Sequence, residues 1–187
     1  MNVLAERGYE NTRFADVSAA SGVAISTLQN YFGSREDMVI EAMGLSVDRE
    51  VAALEAVAAA ERDPWERLVA MIDRSLNNSD RTRRMLVEFW RSAMRDDELR
   101  AYSTEVQQRY RAPFLAAVRE GGEQGGFTLV HGPDDVTDFL ISALIGVIVF
   151  RVLRHPAPPA PADFRGVLLS QLRLMLGLHG ASPAARR

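Results

Sequence analysis

Between Ala24 and Phe32 the sequence places Ser26, Thr27, Gln29, Asn30 and Tyr31 on one face of a short helical stretch. Leu28 and Phe32, four residues apart, lie on the other face with Val23 beneath them. Amides and hydroxyls both donate and accept, so such a face suits hydrogen bonding to base edges and phosphates, and a Gln can pair with adenine through two bonds. Covalent chemistry has little to draw on. The sequence has no Cys, which removes disulfides, thiolate metal sites and cysteine nucleophiles. His131, His155 and His179 lack the His-x-x-x-His spacing of a helical metal site. Gly121 to Gly126 lacks the strand before it and the Lys-Ser/Thr after it that a phosphate loop needs, and no Ser has the nucleophile-elbow context. We therefore expect no catalytic residue, metal or cofactor, and a protein that is not an enzyme.

The polar face needs elements to hold it. Thr12 reads as the N-cap of a helix from Arg13 to Ala20, with Phe14 and Val17 inward and Arg13 outward as a candidate phosphate or base contact. Gly22 has no Cβ and can end that helix in the left-handed conformation, and Val23 would pack into the corner before the next helix leaves at a steep angle. Gly33-Ser34 breaks the chain again. Ser34 then caps a long helix from Arg35 to about Ala60, with Glu36 and Asp37 in its first turn.

From Glu6 to about Met43 the sequence resembles the tetracycline-repressor (TetR) family of bacterial transcription regulators. The matching residues are Glu6-Arg7-Gly8-Tyr9-Glu10-Asn11-Thr12, Asp16-Val17, Ala19-Ala20, Ser21-Gly22-Val23, Thr27-Leu28, Tyr31-Phe32 and Ser34-Arg35-Glu36. The resemblance implies a helix-turn-helix DNA-binding domain over residues 1–47, with Ala24 to Tyr31 as the recognition helix in the major groove. Thr12, Arg13, Ile25, Ser26, Thr27, Gln29, Asn30, Tyr31 and Arg35 are its implied DNA contacts: Thr27, Tyr31 and Arg35 to phosphates, and Ile25, Ser26, Gln29 and Asn30 to bases. Many relatives carry Tyr at Gln29, Pro at Gly33 and Lys at Arg35. The family's longer first helix is represented here only by Met1 to Arg7.

The formal net charge is −3, and all 22 basic residues are Arg. Residues 1–49 alone set Arg7, Arg13, Arg35 and Arg49 against Glu6, Glu10, Asp16, Glu36, Asp37, Glu41 and Asp48, so the reading head is itself acidic. Acids at helix starts complement the macrodipole and can sit away from DNA. The N-terminus lacks a leader pattern, and the longest apolar run, Phe139 to Phe150, is shorter than the roughly 20 residues that span a bilayer. We expect a soluble cytoplasmic protein with no membrane partner.

Residues 48–180 read as a helical bundle without strand-like alternation, and 181–187 as a disordered tail. The fold class is thus all-α. Asp63-Pro64 starts a helix that ends at Asn77 to Asp80; another runs from Arg81 to Met94; a third opens at Asp96-Asp97 and carries Pro113, where a kink is expected. Pro133 begins a helix apolar on nearly every side, His155 to Pro161 is a stiff linker, and Asp163 begins the last helix.

Two constellations remain. Trp65, Leu68, Met71 and Ile72, with Met85, Leu86, Phe89, Trp90 and Met94, and with Tyr102, Val106, Tyr110 and Phe114, are spaced to face one interior. By periodicity that is an ordinary core; the resemblance implies a small-molecule cavity there, with Met as adaptable wall and Trp and Tyr as area with a polar tip. Leu86 to Asp96 also resembles a subgroup with choline-responsive members. The likeness is too short to carry the ligand over, although Glu88, Tyr102 or Glu105 could serve a cationic one if they point inward. Leu144, Gly146, Ile148 and Arg151 on one late helix, with Phe164, Leu168, Gln171, Leu172 and Met175 on the last, form the expected seam between two copies. The resulting reading is a homodimeric repressor that an apolar or cationic small molecule releases from a palindromic double-stranded DNA operator. The alternative is a helical small-molecule-binding protein or enzyme with a degenerate head.

Overall fold

A computed structural model describes Val3, Arg7, Gly8 and residues 11–153 and 164–178, and all regular structure among them is helical. The helices are α1 (Phe14–Ser21), α2 (Ile25–Phe32), α3 (Arg35–Ala60), α4 (Pro64–Leu76), α5 (Asp80–Ala93), α6 (Asp97–Glu123), α7 (Pro133–Leu153) and α8 (Phe164–Met175). The stiff linker after His155 and the tail 181–187 lie outside the described residues.

Local chemistry sets most boundaries. Gly22 closes α1 at φ 74° with its N–H on the Ser18 carbonyl, a conformation that costs a residue with a Cβ. Ser34 Oγ accepts from the Asp37 N–H and donates to the Asp37 carboxylate, fixing the start of α3. Asp63 caps α4 by accepting from the Glu66 N–H, with Pro64 as the first helical residue. Ser79 caps α5 in the same way through the Thr82 N–H.

Two expectations about the start of the chain are corrected. Thr12 does not cap α1: it is 2% exposed and its hydroxyl donates to the Gly8 carbonyl at 2.8 Å. Arg13 occupies the cap position, and its N–H donates to the Asp16 carboxylate. Val23 is 37% exposed rather than buried in the corner, where Leu28 alone of α2 is buried. Farther on, α6 runs as one helix through Pro113.

Packing divides the described residues into two compact units. One takes the described residues of Met1–Ala53, Asn78–Arg109 and Ile148–Leu153; the other takes those of Leu54–Asn77, Tyr110–Val147 and Arg154–Arg187. The first buries Leu28, Val39, Met43, Val47, Val51, Phe89, Leu99 and Val106. The second is built on Leu68, Met71, Ile72, Phe114, Val118, Val136, Leu140, Leu144, Leu168, Leu172 and Leu176.

In the second unit the glycine-rich turn after α6 is tied to the end of α8. Thr128 N–H donates to the Leu176 carbonyl and Val130 N–H to that of Met175. By length and composition α7 could cross a membrane, which the run Phe139 to Phe150 alone could not. Its Val136, Leu140, Ile141 and Leu144 are core residues of the second unit, as in the central helix of a bundle.

Candidate nucleic-acid interface

In the first unit α1 and α2 meet at the Gly22 corner, and α2 presents nearly its whole circumference to solvent. Ile25, Ser26, Thr27, Gln29, Asn30 and Tyr31 are all exposed, Tyr31 at 74%. Leu28 is the anchor, at 7% exposure, and Phe32 is half-buried with its ring edge-on to Tyr31 at 4.8 Å. Two amides, two hydroxyls, a phenol and an isoleucine on two turns form a surface with donors, acceptors and an apolar contact, the repertoire that base edges and thymine methyls require. Arg13, also exposed, stands at the start of α1.

Two residues expected at this surface have structural duties instead. Thr12 is buried with its hydroxyl bonded to Gly8, so its side chain does not reach outward. Arg35 spends its guanidinium inside the head: Nε donates to the Thr12 carbonyl at 2.7 Å and Nη1 pairs with Glu36 at 2.7 Å. That pairing holds the Glu36 carboxyl below its usual range. The Arg35 bond joins the start of α3 to the segment before α1 across 23 residues, which fixes the frame carrying α2. A tie of this kind depends on chain topology, so spacing alone does not reveal it.

The expected cavity residues are divided between the units. In the first, Phe89 is fully buried with its ring edge-on to Tyr102 at 5.9 Å, and Val106 is buried. Met85, Leu86 and Trp90 are half-buried there, and the Tyr102 hydroxyl donates to the Gly44 carbonyl at 3.2 Å. Burial and the neighbouring Asp48 carboxylate push the Tyr102 phenol up to about 12. Met94 is 71% exposed at the C-cap of α5, so it is not a wall residue. In the second unit Leu68, Met71, Ile72 and Phe114 are fully buried core. Tyr110 shares a 2.6 Å hydrogen bond with Ser75, and Trp65 lies under the Arg173 guanidinium at 4.7 Å. A groove of about 640 Å³ in that unit is lined by Ala58, Arg62, Arg67, Pro113, Ala116 and Glu120 among others, and by none of the expected residues.

The residues of the expected seam divide into inner and outer ones. Leu144, Ile148, Leu168 and Leu172 are 2%, 6%, 4% and 0% exposed within one chain, so they cannot face a second. Both helices have two apolar faces, and periodicity did not tell inner from outer. The outward row of α8 is Phe164, Val167, Gln171 and Leu174; that of α7 is Phe139, Ser142, Gly146, Phe150 and Leu153. A Cβ built on Gly146 would meet open space. Val167, Leu174, Phe139, Phe150 and Leu153 are exposed in these rows, each three or four residues from a neighbour.

The fold and the α2 surface together define a class: a helical regulator that reads DNA through a helix-turn-helix head. Residues 1–42 match the family model described as bacterial regulatory proteins, tetR family, and residues 64–177 match that of the BetI-type transcriptional repressor, C-terminal. The chain belongs to the TetR family and is a ligand-responsive, DNA-binding transcriptional regulator. Family and fold are those of transcriptional regulators, not of enzymes.

No curated protein matches the sequence. Among solved structures, a transcriptional regulator from Rhodococcus sp. Rha1 is similar, with TM-score 0.77, 21% identity and coverage of 97% of this chain and 94% of that one. PfmR of Thermus thermophilus is similar at TM-score 0.66 and 24% identity over 94% and 93% of the two chains. FadR of Bacillus subtilis, solved with stearoyl-CoA, is similar at TM-score 0.71 and 18% identity over 96% and 95%. At these identities the likeness is one of fold.

Proposed function

We propose that this regulator is a cytoplasmic homodimeric repressor that grips a palindromic operator with two α2 helices and lets go when a small molecule binds. The observation that carries the reading is α2 itself, which buries Leu28 and exposes every polar side chain it has. Ile25, Ser26, Gln29 and Asn30 read bases, while Thr27, Tyr31 and Arg13 position the helix on phosphates. Half-sites one turn apart, about 34 Å, suit a two-fold pair of such heads.

The outward rows of the second unit supply the pairing surface: a second copy would cover Phe139 on α7 and Phe164, Val167 and Leu174 on α8. That covering also accounts for the apolar character of α7 without a membrane. The effector is apolar or cationic, in keeping with the Met and aromatic content of the chain after the head. Its binding shifts α3, the helix that starts at the head, and so changes the separation of the two α2 helices. Long acyl thioesters and quaternary amines are the first compounds to screen.

The test is salt-dependent binding of the full chain to DNA from upstream of its own or a neighbouring gene, followed by a thermal-shift screen. A compound that raises Tm and releases that DNA supports the reading. Absence of any sequence-selective binding at low salt refutes it.

A further inference from the structure

In the first unit, α3 and α6 meet through a polar contact set in apolar surroundings. Tyr102 lays its ring on Gly44: a Cβ built there would stand 3.3 Å from the hydroxyl oxygen and 3.4 Å and 3.5 Å from the ring atoms Cε1 and Cζ. The hydroxyl donates to the Gly44 carbonyl at 3.2 Å. One turn along α3, Asp48 pairs with Arg109 at 2.5 Å, and Arg109 lies two turns beyond Tyr102 on α6. Phe89, fully buried, braces the Tyr102 ring edge-on from α5.

The middle of α3's apolar row is a weak guide to register. The buried apolar residues of α3 in the first unit are Met38, Val39, Met43, Val47 and Val51, the last four spaced one residue in every four. A slide of one turn, about 5.4 Å, exchanges Val39, Met43, Val47 and Val51 among similar sizes and is resisted only at the ends, where Glu55 or Arg35 would join the row and Ala42 or Ser34 would replace Met38. The adjacent row reads Ile40, Gly44, Asp48. The same slide would put isoleucine or aspartate under the Tyr102 ring, where even a Cβ is a tight fit, and would carry Asp48 away from Arg109. Directional polar contacts of this kind select one register among several that hydrophobic packing tolerates.

We infer that Gly44 and Tyr102, with the Asp48–Arg109 pair, are positioning residues for DNA recognition: they fix the register of α3 against α6 and so set where the head holds α2. None of them touches DNA. They act through α3, whose first residue, Arg35, is bonded to the segment preceding α1. The inference rests on the reading of a two-headed DNA-binding regulator.

The experiment selects binding sites from a random double-stranded DNA pool with the full-length wild type, Y102F, G44A and D48N. It compares half-site sequence, half-site separation, operator Kd and Tm. Y102F keeps the ring and loses only the hydroxyl, so it reports on a folded protein even if G44A does not fold. Y102F and D48N are expected to recover the same half-site bases but a separation changed by at least one base pair, with affinity for the wild-type operator at least five-fold weaker. Unchanged separation, with Kd within two-fold of wild type or with a loss that only follows a lowered Tm, would mark the contact as structural and overturn the inference. A wild type that recovers no paired half-sites overturns the two-headed reading, and the positioning role with it.

Discussion

Leu172→Glu and Leu174→Glu, two residues apart on α8, should fail in opposite ways. Leu172 is 0% exposed in the core of its unit, whereas Leu174 is 50% exposed on the outward row. Removing the buried leucine side chain costs about 2–5 kcal/mol through lost transfer energy and an unfilled cavity, and an unpaired carboxylate adds to that. Against a total stability of about 5–15 kcal/mol, Leu172→Glu should unfold much of the protein. Leu174→Glu leaves each chain's core intact and should change monomer stability by less than about 0.5 kcal/mol. If a second copy covers that side chain, the half still exposed is worth about 1 kcal/mol per chain and about 2 per dimer, a loss of roughly 30-fold in dimer affinity. Sedimentation across a concentration series, with circular dichroism on the same samples, separates the cases: Leu172→Glu loses helicity, and Leu174→Glu stays helical while dissociating at higher concentration. A Leu174→Glu protein that stays dimeric at wild-type concentrations and keeps full operator affinity would refute the outward-row seam.

Gln29→Ala should alter base preference by about 1–3 kcal/mol at one position of each half-site, whereas Thr27→Val should weaken all sequences alike; a binding-site selection that returns the wild-type motif for Gln29→Ala removes it from base reading. Gly177→Ala should destabilise the fold by several degrees in Tm, since Gly177 holds φ 65° and a Cβ there would run into the Thr128 carbonyl. A wild-type Tm for that variant would show that the turn after α6 yields easily. The Tyr102 phenol, raised to about 12 by burial and Asp48, keeps its proton longer in the folded state. Its stabilising share is therefore whole below about pH 10 and lost as pH rises toward 12; Tm against pH should fall less steeply over that window in Tyr102→Phe, and parallel curves would refute the assignment.

The head was legible because each of its signals is local. Gly22, Ser34 and Asp63 act on backbone groups within four residues, so type and spacing suffice to place α1 to α4. What failed was long-range or two-sided. Thr12 has a capping residue's chemistry, yet the fold uses it to close on Gly8, and Arg35 is drawn to a carbonyl 23 residues away. On α7 and α8 apolar residues occupy both faces, so a period near 3.6 identifies a helix but not which face meets its own core. Leu168 and Leu172 turned out to be inside, and Val167 and Leu174 outside. For the expected cavity residues spacing is equally silent, because an aromatic stripe that fills a core and one that lines a hollow have the same spacing.

An acidic head can still bind DNA if its acids are spent within the protein. Asp16 accepts from the Arg13 N–H at 3.0 Å and pairs with Arg7 at 2.8 Å. Asp37 accepts the Ser34 hydroxyl at 2.6 Å, Glu36 holds Arg35, and Asp48 holds Arg109. These carboxylates close helix starts and brace helices; none of them lies on α2, which carries no charge of either sign. Affinity must then come from neutral donors and close fit more than from counterion release. Each head offers one cationic phosphate contact, Arg13, so a two-headed complex should show a slope of log K against log salt of about −2, against about −10 for a strongly cationic repressor. Fluorescence anisotropy on a selected operator from about 50 to about 500 mM salt, roughly one decade of ionic strength, measures it. A slope of about −8 or steeper would mean that arginines outside the head carry the binding, and that α2 is not its main source.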